Sequence, residues 1–219
     1  MSRFLHRPFI HFCRHIGVGH GESPCINHTP SLLRQPRLFC EIKLNLFTAE
    51  VFDFDPRRYF RYLQQRGVKQ IVHLRRRNLL RRLVSVRIAR EGNIWHLYNN
   101  DAPVRRTVFI NVDGVVDFDF SRRPRPLRNL LDKTAGDVKF FDKLLREHFE
   151  VLELWYEDHV ERDPNVAAQA ISGLFAVPYS HQQPRVRRQN AGPLDELITN
   201  FDDVRKTLRG TPHEYMLEE

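Results

Sequence analysis

The sequence predicts an α/β protein in which helices cover a mostly parallel sheet, and three observations lead to this prediction. Two helix-start signals, Asp55-Pro56 and Asp163-Pro164, each place an N-cap residue directly before a proline. Apolar runs typical of buried strands occur from Lys69 to Leu74 and from Val151 to Glu157. Longer stretches with helical spacing alternate with these runs, which is the pattern of parallel β–α–β units.

The beginning of the chain divides into a leader and the start of a domain. Residues 1–37 mix His, Pro, Gly and Cys without a sustained period, so we expect an irregular leader followed by an α/β domain over residues 38–219. The run from Phe39 to Phe47 alternates apolar and polar residues as a short strand does. A helix is expected to begin at Pro56 and to be stopped by Gly67.

The middle of the chain predicts a strand, a helix and an irregular segment. The strand at Lys69 to Leu74 leads into a helix from Asn78 to about Glu91, whose apolar residues recur at helical spacing while arginines fill the rest of its circumference. Residues 101–135 carry several prolines and many arginines, which favours a covering loop or an insertion. Helical spacing returns near Asp137.

The last third of the chain repeats the alternation of strand and helix. After the strand from Val151 to Glu157, a capped helix is expected from Pro164 to about Phe175. A final helical pattern runs through Leu194 and Leu208 and is ended by Gly210. These elements together predict one α/β layered fold.

Charge and cysteine usage restrict the environment and the partners. The 219 residues contain 35 Lys and Arg against 27 Asp and Glu, a net charge of +8, which indicates an anionic partner such as phosphate, sulfate, nucleic acid or acidic lipid. The three cysteines, Cys13, Cys25 and Cys40, are an odd number and favour a reducing compartment. No segment has the pattern of a secretory signal or of a membrane span, so we expect a cytoplasmic protein.

An anion site is expected where the strand at residues 69–74 meets the following helix. Arg75, Arg76 and Arg77 stand at the start of that helix, whose unpaired amides and positive dipole end stabilise a phosphate. Ser85 lies two helical turns beyond Arg77, so its hydroxyl and a long arginine side chain can converge on one phosphate. The spacing alone is equally compatible with a solvent-exposed arginine face on which Ser85 has no role.

The segment Arg77-Asn-Leu-Leu-Arg-Arg-Leu-Val-Ser85 resembles the 3′-phosphate-binding motif of sulfotransferases that use 3′-phosphoadenosine 5′-phosphosulfate (PAPS). Leu154-Trp-Tyr-Glu-Asp158 followed by Asp163-Pro164, and the closing stretch from Arg188 to Leu217, are similar to late segments of bacterial members. The resemblance implies a P-loop-like three-layer α/β fold with PAPS as the sulfuryl donor. It also implies transfer to a hydroxyl or amine, without a metal.

The chain departs from this family at its beginning. Members normally begin with a strand and a Gly-x-x-Arg-Ser-Gly-Thr turn that holds the 5′-phosphosulfate, and this sequence has no such turn. We therefore expect a truncated or degenerate member that lacks the first strand and phosphate loop and is weakly active or inactive. Gly21-Glu22 resembles a Gly-Glu pair of some relatives, which makes Glu22 the candidate catalytic base. Arg187 and Arg188 are candidates to close over the nucleotide.

Other functions are compatible with parts of the sequence. The leader contains five histidines and two cysteines, but their spacing fits no structural zinc site, so no metal is predicted. Nucleic-acid binding by the arginine-rich helix from Asn78 to Glu91 is disfavoured because no aromatic platform flanks it. A non-catalytic protein retained for partner binding is a further alternative. A carbohydrate, a lipid or a small metabolite would each fit as the sulfuryl acceptor.

Overall fold

The computed structural model describes residues 55–101, 106–116, 123–181, 183–184, 186–187 and 190–218. The expected leader, the expected strand from Phe39 to Phe47, and the candidate residues Glu22 and Arg188 lie outside the described residues. The described part mixes helices with short strands, and it contains a small parallel sheet, as an α/β protein does.

The first helix, α1 (Pro56–Gln65), forms where its capping signal predicts. The side chain of Asp55 accepts a hydrogen bond of 2.9 Å from the backbone N–H of Arg57, and the missing N–H of Pro56 costs nothing at the first helical position. Phe60 is fully buried. The helix ends before Gly67, whose φ of +84° favours glycine, so the predicted stop is confirmed.

Two strands form the parallel sheet that positions the candidate site. Strand β1 (Gln70–Arg75) pairs in parallel with β5 (Glu150–Trp155), and the register runs from Gln70 opposite Glu150 to Arg75 opposite Trp155. The strand predicted to extend to Glu157 ends at Trp155, because Tyr156–His159 turns into a short helix, α4. Parallel strands need a crossover, and the chain between β1 and β5 supplies helices for it.

Helix α2 (Leu79–Glu91) follows β1 after a short connection, as predicted. Asn78 caps it by accepting a hydrogen bond of 2.8 Å from the backbone N–H of Arg81. Leu80, Val84 and Ile88, spaced four residues apart, are almost completely buried and place one face of the helix in the core.

The segment between α2 and β5 contains more regular structure than its composition predicts. A 22-residue helix, α3 (Leu127–His148), begins at Leu127 and not near Asp137. Leu127, Leu130 and Leu131 are buried in the core, so tertiary packing stabilises the first turns although the sequence before them is rich in proline and arginine. Two short antiparallel pairs complete the strands: β3 (Val115–Val116) pairs with β4 (Pro124–Arg125), and β2 (Leu97–Tyr98) pairs with β6 (Val186–Arg187).

The C-terminal region contains helix α5 (Pro164–Leu174), which confirms the predicted Asp163-Pro164 start, and then a broken helix. The single helix expected from Leu194 to Leu208 is two helices, α6 (Leu194–Leu197) and α7 (Phe201–Leu208). The break arises because Ile198 bridges to Val108, and the side chain of Asn200 bonds both backbone groups of Ile110. A 3₁₀ turn, Glu214–Leu217, closes the described chain.

The main hydrophobic core lies between α2, the first turns of α3 and the C-terminal helices, with buried side chains such as Leu80, Leu127, Leu194 and Leu208. Helix α1 packs on the other half of α3, where Phe60 and Phe149 meet with ring centroids 5.7 Å apart. None of the described helices combines the length and the apolar character that a membrane crossing requires.

Candidate functional site

The candidate site lies at the carboxyl ends of β1 and β5. Carboxyl ends of parallel strands meet at the same edge of a sheet, which is where α/β proteins bind ligands. Strand β1 brings Arg75 to this edge and is followed by Arg76 and Arg77, and β5 brings Trp155 opposite Arg75. Two of the three sequence segments that carry the family resemblance therefore face each other in space.

Arg77, the principal cofactor candidate, is bound to a carboxylate of its own chain. Its two terminal guanidinium nitrogens donate to the two oxygens of Asp158, with Nη1–Oδ1 and Nη2–Oδ2 distances of 2.7 and 2.6 Å. The hydrogen bonds from Arg77 lower the pKa of Asp158, and those to Asp158 raise the pKa of Arg77. Both side chains are about half exposed, at 47% and 49%, so the pair is accessible to a competing anion.

Aromatic rings hold the three arginines. The guanidinium carbons of Arg75 and Arg77 lie 4.3 and 4.8 Å from the centroid of the Trp155 ring, and that of Arg76 lies 4.3 Å from the ring of Tyr156. Contacts this close are cation–π interactions, which restrict the orientation of each guanidinium. The strand end thus forms an ordered arginine cluster and not a set of freely solvated side chains.

Arg75 belongs to a partly buried ionic network beneath the edge. Its Nη1 donates to Glu153 at 2.8 Å, and Glu153 also accepts a bond of 2.6 Å from Arg146 of α3. Burial raises the pKa of Glu153, but the hydrogen bonds and charges of Arg75 and Arg146 outweigh this effect, and the net pKa lies below the ordinary value. Arg75 therefore has a structural anion partner already, and so has Arg76, whose Nε lies 3.9 Å from Glu157.

The N-terminus of α2, predicted to hold a phosphate, is in contact with a carboxylate. Oε1 of Glu157 accepts from the backbone N–H groups of Arg77 at 2.9 Å and of Asn78 at 3.3 Å. These two amides directly precede the first helical residue, Leu79, so the carboxylate lies at the approach that an anion would take to the helix N-terminus. Glu157 and Asp158 are not among the site residues that the sequence predicts. Their position directly after β5, opposite the arginine run after β1, is the signal that identifies them once the two strands are paired.

The C-terminal segment contacts the same edge. The side-chain amide of Asn78 donates to the carbonyl oxygen of Met216 at 2.9 Å. The hydroxyl of Tyr215 donates to the backbone carbonyl oxygen of Arg77 at 3.2 Å. Burial, together with the nearby charge of Glu157, raises the pKa of the Tyr215 hydroxyl. The third resembling segment is therefore adjacent to the other two.

A buried arginine fastens the preceding part of the C-terminal segment to α2. Nη2 of Arg81 donates to the carbonyl oxygen of Asn190 at 2.5 Å, and both residues are buried. The backbone of Arg187 lies in β6, opposite Leu97. The contact thus fixes the chain just after the predicted Arg187-Arg188 pair against the first turn of α2.

Ser85 is partly buried in the middle of α2. An eight-residue separation corresponds to a rise of about 12 Å along a helix, within which a long arginine side chain and a hydroxyl can approach one ligand from two directions. Because the guanidinium of Arg77 donates to Asp158, a phosphate shared by Arg77 and Ser85 would have to replace that carboxylate.

Among the residues that the structure describes, no three His, Cys, Asp or Glu side chains are grouped so as to hold a metal ion. Comparison with models of protein families, with curated proteins and with solved structures gives no match.

Proposed function

We propose that this protein is a sulfotransferase-like nucleotide-binding protein that takes PAPS as its sulfuryl donor. The observation that carries the proposal is the bidentate geometry of Arg77, whose guanidinium pairs with the carboxylate of Asp158 at the carboxyl end of a parallel strand, next to a helix N-terminus. Guanidinium groups in this geometry bind phosphate as readily as carboxylate. The proposal includes the P-loop-like three-layer arrangement. It also includes a cytoplasmic location, because an odd number of cysteines favours a reducing compartment.

In the proposed complex, Arg77 and Ser85 bind the 3′-phosphate of the nucleotide, and Arg75 and Arg76 contribute positive potential at the same edge. A phosphate monoester carries a charge of about −1.5 to −2 at neutral pH, whereas Asp158 carries −1. The Arg77–Asp158 pair is half exposed, and exposed ion pairs contribute little to stability, so replacement of the carboxylate by a phosphate is feasible.

The proposed reaction is an in-line transfer of a sulfuryl group. The acceptor oxygen or nitrogen forms a bond to sulfur, the bond between sulfur and the 5′-phosphate oxygen breaks, and adenosine 3′,5′-bisphosphate leaves. Glu22 takes the proton of the acceptor, and Arg187 and Arg188 close over the nucleotide. Loss of a preorganised donor set typically lowers a rate by a factor of about 10² to 10³, so a protein in which no 5′-phosphosulfate turn acts would bind the nucleotide with weak turnover or none.

Calorimetry with two nucleotides tests the cofactor assignment. Arg77→Ala should weaken binding of adenosine 3′,5′-bisphosphate by a factor of about 10 or more, because a charge-assisted contact contributes about 1.5–3 kcal/mol. Binding of adenosine 5′-phosphate, which lacks the 3′-phosphate, should not change. Arg209→Ala, which removes an exposed arginine from the end of α7, is the matched control. Equal affinities of wild type and Arg77→Ala for the bisphosphate would refute the assignment, and no heat from the wild type would refute nucleotide binding.

A non-catalytic interaction protein is the second candidate, and one observation favours it. Arg75, Arg76 and Arg77 each have a carboxylate within 4.0 Å, and Glu157 bonds the amides at the start of α2. An edge that is neutralised in this way stabilises the fold without any ligand. If this candidate is correct, neither the wild type nor Arg77→Ala binds any nucleotide measurably. The substitution then only lowers the free energy of unfolding.

A further inference from the structure

The exposed side of helix α1 is basic along its length, although its exposed N-cap residue, Asp55, directly precedes it. Four arginines, Arg57, Arg58, Arg61 and Arg66, lie within or directly after the ten residues of this helix, which contains no acidic residue. All four are exposed. The first and the last are nine positions apart, a helical rise of about 14 Å.

The charges of this surface are not balanced by neighbours in the part of the chain that the structure describes. No described carboxylate approaches any of the four guanidinium groups within 4.0 Å. Some arginines on other elements are paired: Arg146 lies 3.1 Å from Asp142, and Arg205 lies 2.7 Å from Asp202, whereas all four arginines of α1 and its C-cap lack such a partner among the described residues. Protein surfaces usually intersperse both signs, so an unpaired cluster favours recognition of an external anion.

Exposed aromatic rings lie beside these arginines. The guanidinium carbon of Arg66 is 5.1 Å from the centroid of the Tyr62 ring, and that of Arg57 is 5.5 Å from the ring of Phe140 on α3. Tyr62 and Phe140 are 47% and 40% exposed. Guanidinium groups interleaved with accessible rings provide both phosphate contacts and stacking surfaces for unpaired bases.

We propose that the exposed face of α1 binds single-stranded nucleic acid, with Arg57, Arg58 and Arg61 on phosphates and Tyr62 stacked on a base. Duplexes fit less well, because their bases are already stacked and the rings gain nothing. An anionic membrane also fits less well: Phe60 and Leu63 of α1 are buried in the protein, which leaves only the rings of Tyr62 and Phe140 to enter a lipid interface.

Nucleic-acid binding by α1 does not depend on the sulfotransferase proposal. It also concerns a different helix from α2, the arginine-rich helix that the sequence suggested for nucleic-acid binding. In α2, Arg81 is buried and Arg87 lies 3.5 Å from Glu91, so fewer of its charges are available to a polyanion. The two proposals have separate readouts, because nucleotide calorimetry probes the strand edge and oligonucleotide binding probes α1.

The test measures binding of a fluorescent oligouridylate by anisotropy over a series of KCl concentrations. The variant R57Q/R58Q/R61Q should bind more weakly, and its plot of log affinity against log salt should be flatter by about 2, because each phosphate contact contributes about 0.7 to the slope for single strands. The control R128Q/K206Q/R209Q removes the same charge from exposed residues of α3 and α7, and it should retain the slope of the wild type.

Tyr62→Ala supplies an independent arm that does not change charge. It should weaken oligouridylate binding about fivefold or more, because stacking on an aromatic ring contributes substantially per base. It should leave any binding to vesicles of phosphatidylserine and phosphatidylcholine unchanged. Equal losses in the two triple variants, binding to the vesicles but not to the oligonucleotide, or no oligonucleotide binding by the wild type would each overturn the proposal.

Discussion

Asn78 joins the candidate site to the C-terminal segment, and its replacement gives the sharpest stability prediction. Its side-chain oxygen accepts from the N–H of Arg81 at 2.8 Å and caps α2, while its side-chain nitrogen donates to the carbonyl oxygen of Met216 at 2.9 Å. Loss of a cap costs about 0.5–2 kcal/mol and loss of a neutral hydrogen bond about 0.5–1.5 kcal/mol. Asn78→Ala should therefore lower the free energy of unfolding by about 1–3.5 kcal/mol, as measured by urea denaturation.

A matched variant separates the two contributions. Asn78→Ser keeps a capping oxygen but is too short to reach the carbonyl of Met216, so it should lose only the smaller, tertiary part of the effect. The difference between the two variants then measures the cap. If Asn78→Ala is as stable as the wild type, or if Asn78→Ser is as unstable as Asn78→Ala, the assigned roles of the side-chain oxygen and nitrogen are refuted.

Two further predictions concern charge at the strand edge and below it. Asp158→Asn removes the carboxylate that competes for Arg77, so calorimetry should show a severalfold higher affinity for adenosine 3′,5′-bisphosphate. The control Asp202→Asn, at an exposed ion pair on α7, should leave this affinity unchanged. An unchanged affinity in Asp158→Asn would argue against Arg77 as the phosphate ligand. Burial and the charge of Arg75 lower the pKa of His73 and outweigh the opposing charges of Asp142 and Glu153, so just below the ordinary pKa of 6.5 the unfolded chain binds a proton that the folded protein does not. The free energy of unfolding should therefore fall as the pH decreases through this range, and His73→Gln should remove that part of the pH dependence. If urea denaturation gives the same pH dependence for the wild type and His73→Gln, His73 is excluded as its source.

Local signals in the sequence were sufficient for most of the elements around the site. The Asp-Pro starts at residues 55–56 and 163–164 act within one helical turn, so the caps of α1 and α5 form regardless of distant contacts. The apolar period of α2 likewise predicts its bounds to within a residue. These features depend on residues that are close together in the chain, so the sequence alone is sufficient to predict them.

Elements that depend on distant contacts were not predicted. The break between α6 and α7 follows from the pairing of Ile198 with Val108, about ninety residues earlier in the chain, although the apolar period continues through it. The early start of α3 likewise follows from burial of Leu127, Leu130 and Leu131 in a core that other segments complete.

The sequence by itself determined the kind of chemistry at the site: a strand that ends in arginines at the start of a helix, where an anion is stabilised. Only the tertiary structure decided which anion lies there, because the parallel pairing of β1 with β5 brings Glu157 and Asp158 to Arg76 and Arg77. The acidic and basic runs are about eighty residues apart in the chain, and Coulomb attraction depends on distance in space. Strand register, which no local pattern encodes, determines that distance.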